Sequence, residues 1–210
     1  MQYKGQPYDP VAESGGGGYY QMALKSGLLP AALAAGDTLF SFYWNPVVPD
    51  GRIARCQLKF IKVNAITTTA FGTAQLIEFD TFCAKAWSGA DSGGSRIIPA
   101  AGDQKRQKRY ADSLFLTGGD IRIATTAALT KGTRTLEAQP FSSFGYWSGA
   151  IGAGITPPII EEWDDHHVPM VFEPGQGFVI DNAILFGATG VVRLWVDLMW
   201  MEEYETIPGW

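Results

Sequence analysis

Seven consecutive residues, 161–167, gather most of the side chains that could do chemistry: Glu161, Glu162, Asp164, Asp165, His166 and His167, with Trp163 among them. Carboxylates and imidazoles bind zinc and other divalent ions, and two placed carboxylates are what glycoside hydrolysis needs. The spacing argues against a metal site. His166 and His167 are adjacent, so on a strand they point to opposite faces, and no second ligand pair stands at a metal-site spacing. The expectation is a solvated acidic loop, with no metal and no cofactor. Nucleophile motifs are missing too. The stretch GYWSGAIG around Ser148 lacks the G-x-S-x-G order of a nucleophile elbow. The glycine-rich stretches lack the Lys-Ser/Thr ending of a phosphate loop. No catalytic residue is assigned, and the chain reads as a non-enzyme.

Binding chemistry has more to offer. Lys105, Arg106, Lys108 and Arg109 form a basic run within 104–110 that suits phosphate or an acidic protein surface, or else a solvated loop. A formal net charge of -5 argues against a dedicated nucleic-acid binder. Seven tryptophans exceed what a small core needs, and Trp87, Trp147, Trp163 and Trp210 fall in expected loops or the tail. Aromatic residues are enriched at interfaces, so together they point to an oligomer or a stable partner.

The elements that hold these residues are strands. The organising stretch is 175–202, two strand patterns around a Gly-Ala-Thr-Gly turn, which reads as an innermost hairpin. In its second half Val192, Leu194, Val196, Leu198 and Trp200 share one face, because strand side chains alternate. Arg193, Trp195, Asp197 and Met199 share the other, where Trp195 and Met199 make an apolar strip expected to be a contact surface. In the first half Phe178 and Ile180 face inward. Residues 52–63 alternate with Ala54, Cys56, Leu58 and Phe60 inward, and 74–86 with Ile77, Phe79, Thr81 and Cys83; these two strands are expected to pair. Further strands are expected at 19–25, 37–44, 121–123, 136–141 and 168–172. Residues 28–35 hover between helix and loop, because Pro30 interrupts a run of alanine and leucine. Residues 144–158 read as a glycine-broken surface loop.

Twenty-five glycines and 12 prolines suit many short strands with turns between them. With no convincing amphipathic helix and no internal repeat, the chain reads as all-β: a jelly-roll-like two-sheet β-sandwich, with a closed barrel as the alternative. Residues 1–18 read as an N-terminal arm carrying Tyr3 and Tyr8 on a joint at Gly15–Gly18, residues 19–204 as the sandwich, and 205–210 as a tail. The start MQYKGQPYDP has no signal-peptide core, and no run nears the ~18 apolar residues of a membrane span. A protein made in a cytoplasm is expected, with Cys56 and Cys83 as free thiols.

The order GFVIDN at 177–182, GATGVVRL at 187–194, then Trp200, Met201 and Glu202, resembles a set of poorly characterised tailed-bacteriophage virion proteins. TTAFG at 68–72, Glu78-Phe79-Asp80 and AQPF at 138–141 belong to the same pattern, which covers roughly residues 21–204. Gln176 departs from it where an acidic residue is expected. The resemblance implies a virion structural protein assembled in the host cytoplasm, of head decoration (cement) or minor capsid type. It implies the major capsid protein or other virion proteins as partners, and a homo-oligomer, best a trimer. Interface residues would be Tyr3, Tyr8, Arg193, Trp195, Met199 and Trp210. A tail or head-fibre component is the alternative within this class. A carbohydrate-binding module or glycoside hydrolase using 161–167 is the alternative outside it.

Overall fold

The computed structural model describes residues 17–48, 52–98, 113–148, 159–162 and 170–206. Among these residues twelve strands form two antiparallel sheets packed face to face, a two-sheet β-sandwich of jelly-roll type. Sheet A contains β1 (Gly17–Lys25), β12 (Val191–Thr206), β3 (Arg52–Thr69), β10 (Met170–Phe172) and β9 (Ile159–Glu162). Sheet B contains β5 (Ser95–Arg96), β6 (Asp120–Ile123), β2 (Thr38–Trp44), β11 (Gln176–Asn182), β4 (Gln75–Trp87), β7 (Arg134–Leu136) and β8 (Ser142–Ser148). One short 3-10 helix, Leu114–Thr117, plugs the space between the sheets at one end.

Strand β12 is the spine of sheet A, paired with β1 on one side and with β3 along its whole length on the other. Val192, Leu194, Val196, Leu198 and Trp200 are fully buried, as their alternation requires. Each such side chain contributes roughly 1.5–3 kcal/mol of burial. In sheet B, β11 lies between β2 and β4 and places Phe178 and Ile180 inward. Aromatic rings tie the sheets together. Phe42 of sheet B meets Trp200 of sheet A edge-on at 5.6 Å, and Phe115 from the 3-10 helix sits 4.8 Å from Phe42 and 5.8 Å from Trp200.

The expected hairpin at 175–202 is instead a crossover. Strands β11 and β12 lie in different sheets and do not pair. Both sides of β11 are already occupied, and residues 183–190 are too long for a tight turn. That connection sends Phe186 into the core, and its N–H donates to Leu33 O at 2.9 Å. It closes at Gly190, at φ 107, where an added Cβ would sit 2.4 Å from the Phe71 ring.

The expected pairing of 52–63 with 74–86 fails for the same reason. Strand β3 belongs to sheet A and β4 to sheet B, and the chain passes from one to the other at buried Phe71. Phe60 is half-buried on the outer face, not inward. A register shift opposite Met199/Trp200 flips the phase of β3, so Leu58 and then Ile61 point inward. Cys83 does face inward, packed half-buried against the main core, while Ala84 is buried on the other face with Tyr43, Trp87 and Val179.

Residues 28–35 form no helix; Leu29 bridges to Val192 and Ala32 takes a positive φ of 59. Trp87 is not in a loop but ends β4, buried beneath Arg134, whose guanidinium lies 5.1 Å from the ring centroid. The strand expected at 136–141 ends where it was expected to begin, because Glu137 and Phe141 bond back to Cys83 O and Thr81 O through a turn. The first part of the surface loop expected at 144–158 is strand β8, with Phe144, Tyr146 and Ser148 buried; the glycine at 145 broke the apolar run without breaking the period of two. Strand β1 begins at Gly17, so two of the four glycines of the expected joint are strand, and β12 continues to Thr206.

Candidate functional site

Strand β12 presents Arg193, Trp195, Asp197 and Met199 on the outer face of sheet A, all half-buried. Trp195, Asp197 and Met199 are each held between two register partners, while Arg193, past the end of the β1 pairing, faces Ile66 of β3 alone. Trp195 lies between Lys25 of β1 and Asn64 of β3, and the Lys25 ammonium stands 5.7 Å from its ring centroid. Asp197 lies between Ala23 and Lys62, and Met199 between Gln21 and Phe60. Lys62, Asn64, Trp195 and Asp197 line a shallow basin of about 230 Å³. The Arg193 Nε is buried with no hydrogen-bond partner among the described residues. The expected strip therefore exists, with an aromatic ring set among alternating charges on a stiff strand. Such a surface can dock a protein: the ring supplies burial, and the charges fix register.

The other expected interface residues, Tyr3, Tyr8 and Trp210, lie outside the described residues, as does the basic run 105–109. Of the acidic segment, Glu161 and Glu162 belong to β9, paired with Ile61 and Phe60; residues 163–167 lie outside the described part. Among the described residues no three His, Cys, Asp or Glu side chains converge as metal ligands would.

Three buried polar arrangements were not anticipated. Glu202, fully buried on the inner face of β12, accepts hydrogen bonds from the Ser113 hydroxyl at 2.6 Å, the Leu114 N–H at 2.6 Å and the Trp200 indole N–H at 2.8 Å. It thereby anchors the start of the 3-10 helix to sheet A. Burial pushes its carboxyl up to about 7, against the pull of those three donors. Arg134, almost wholly buried, pairs with Asp91 and donates at 2.6 Å to Thr38 Oγ1, which donates at 2.7 Å to Asp181. Burial raises the Asp181 carboxyl, with Thr38 opposing. Thr67 of sheet A meets Tyr146 Oη at 3.1 Å and Ser148 Oγ at 2.7 Å from sheet B. All three arrangements tie elements far apart in sequence. An open cleft of about 410 Å³ beside Lys85, Trp87, Arg134 and Pro174 has Arg134 as part of its wall, but that guanidinium is already committed.

A second apolar feature, also unforeseen, lies on sheet B. Trp147 of β8 is 64% exposed and its register partner Leu76 on β4 is 40% exposed. Reading 142–148 with period two would have found it.

No protein-family model matches this chain, and no curated protein matches it. Among solved structures, the human polyomavirus 6 VP1 pentamer aligns over 89% of this chain and 95% of that one, at 9% identity and a TM-score of 0.36. The 60-mer BFDV capsid protein aligns over 92% of this chain and 97% of that one, at 11% identity and a TM-score of 0.23. Neither likeness is close enough to carry family or function to this chain. What its own structure defines is an all-β sandwich whose sheet A carries aromatic and charged side chains on its outer face.

Proposed function

We propose that this chain is a structural protein of a tailed-bacteriophage virion, a head decoration (cement) or minor capsid component that binds the coat lattice and stabilises it. The observation that carries this reading is the outer face of β12, where Trp195 and Met199 alternate with Arg193 and Asp197 on a strand paired with β1 and β3. The resemblance of GFVIDN and GATGVVRL to such virion proteins supports it, as does the ring-filled core, which makes a stiff body for a lattice contact. The chain has no catalytic role in this reading. It assembles as a cyclic homo-oligomer, a trimer in the simplest form, with contacts through the β12 face. The segment carrying Tyr3 and Tyr8 attaches it to neighbouring subunits or coat protein.

Co-sedimentation with empty heads that lack the protein tests this. Wild type is expected to pellet saturably with heads, and Trp195→Ala to weaken the oligomer in light scattering. A deletion of residues 1–16 is expected to keep the fold and lose attachment; it stops at 16 because Gly17 and Gly18 pair with Glu203 and Glu202. A strictly monomeric wild type, or full attachment of the truncated form, contradicts the corresponding part.

A further inference from the structure

Strand β8 is an edge strand. One side pairs with β4 in unbroken register, from Gln75↔Ser148 to Thr81↔Ser142; among the described residues nothing pairs with the other side. An edge strand offers a row of unpaired N–H and C=O groups, and proteins guard such rows with charge, proline, bulges or extreme shortness. The guards are visible elsewhere in sheet B: β5 has 2 residues, and the pairing of β7 is broken by a register shift. Strand β8, SSFGYWS, has 7 residues, no charge, no proline and no shift.

Its side chains are self-complementary. Ser143, Gly145 and Trp147 point outward and are exposed, while Phe144, Tyr146 and Ser148 are buried. In an antiparallel pairing of two copies about a two-fold axis at Gly145, position 143 faces 147 and position 144 faces 146. Each Trp147 then lies over the Ser143 and Gly145 of the other copy, a large ring over the two smallest outward positions. On the inner face Phe144 meets Tyr146 across the seam. Charge agrees with this occupant. Strand β8 is neutral, and its acidic register neighbours among the described residues, Glu78 and Asp80, stand one strand back on β4, where Asp80 accepts from the Ser143 hydroxyl, so that among those residues two copies bring no like charges into contact. The seam is about 23 Å long at about 3.3 Å per residue. It falls at the small end of specific interfaces, near or below about 1,200 Å², so its dimer is concentration-dependent.

We propose that β8 is a dimerisation edge that pairs antiparallel with β8 of a second copy of this chain about Gly145, with Trp147 as its anchor. This inference goes beyond the virion reading and does not rest on it. The seam lies on sheet B, away from the β12 face, so both contacts can be made by one subunit.

The test is sedimentation velocity over a concentration series, with amide hydrogen exchange at low and high concentration. The expected result is a reversible two-fold association, of single chains or of the oligomer built through the β12 face, in which exchange at 142–148 slows as concentration rises. Trp147→Lys is expected to weaken the dimer about tenfold or more, ~1.4 kcal/mol, with an unchanged melting temperature, and Ser143→Arg to do the same from the opposing position. A protein monomeric at every concentration overturns the proposal. So does a dimer whose protection maps away from β8, or one that both variants leave intact.

Discussion

The hydroxyl of Ser113 donates to the Glu202 carboxylate at 2.6 Å, joining two residues 89 apart in the chain inside the sandwich. The contact sets a carboxylate against an apolar surround with three donors and, among the described residues, no ion pair. Burial prevails over the donors and raises the carboxyl to about 7 from 4.5. The folded protein therefore holds this proton more tightly than the unfolded chain does. The stabilisation that results is complete below pH 4.5 and is lost as pH rises through about 7. It amounts to about 3 kcal/mol. Asp181 shifts in the same direction. The expected outcome is a melting temperature that falls between pH 5 and pH 8, with Glu202→Gln flattening most of that fall. An equal slope in wild type and variant rejects the assignment.

Val196 lies fully buried between Leu24 of β1 and Val63 of β3. Val196→Asp places an unpaired carboxylate there, at a cost of several kcal/mol, comparable with the whole stability of a domain. No soluble folded protein is expected, whereas Asp197→Asn, on the outer face, is expected to express and melt like wild type. Circular dichroism and solubility of the two variants check the facing of β12.

Asp91 and Arg134 make a buried ion pair. Removing one partner strands the other's charge, at about 3–5 kcal/mol. Asp91→Ala is expected to lower stability by that amount in denaturant titration, and Asp91→Ala with Arg134→Met to recover part of it. A recovery of nothing means the pair is not coupled.

Cys56 sits in sheet A and Cys83 in sheet B, both free. Burial raises both thiols, Cys83 to about 11 and Cys56 well above its ordinary value. Thiol titration is expected to find both in denaturant without reductant. In the native protein Cys83 is expected to react slowly and Cys56 only on unfolding.

Local alternation was readable wherever one face is buried, as along β12 and the first half of β3. Which strands pair was not, because a glycine-bracketed connection such as 183–190 looks the same whether it turns within a sheet or crosses between two. The phase flip after Leu58 depends on a bulge imposed by β12, so no local pattern in β3 announces it. Strand β2 is buried on both faces, its outer face by Trp87 and Val179, and so it shows no alternation. The outer strip at Arg193, Trp195, Asp197 and Met199 followed directly from the phase of β12. That same phase carries Glu202 inward with Trp200, so its burial was readable too, although its partners Ser113 and Leu114 were not. Trp147 was hidden because Gly145 made an edge strand look like loop.

The central claim, membership of a virion, is tested most directly by quantitative mass spectrometry of particles purified from a lysate of the cells in which this chain is expressed. The account predicts the chain at a fixed ratio to the coat protein, retained through gradient purification. Its absence from particles, with the chain recovered only in the soluble lysate, contradicts the account.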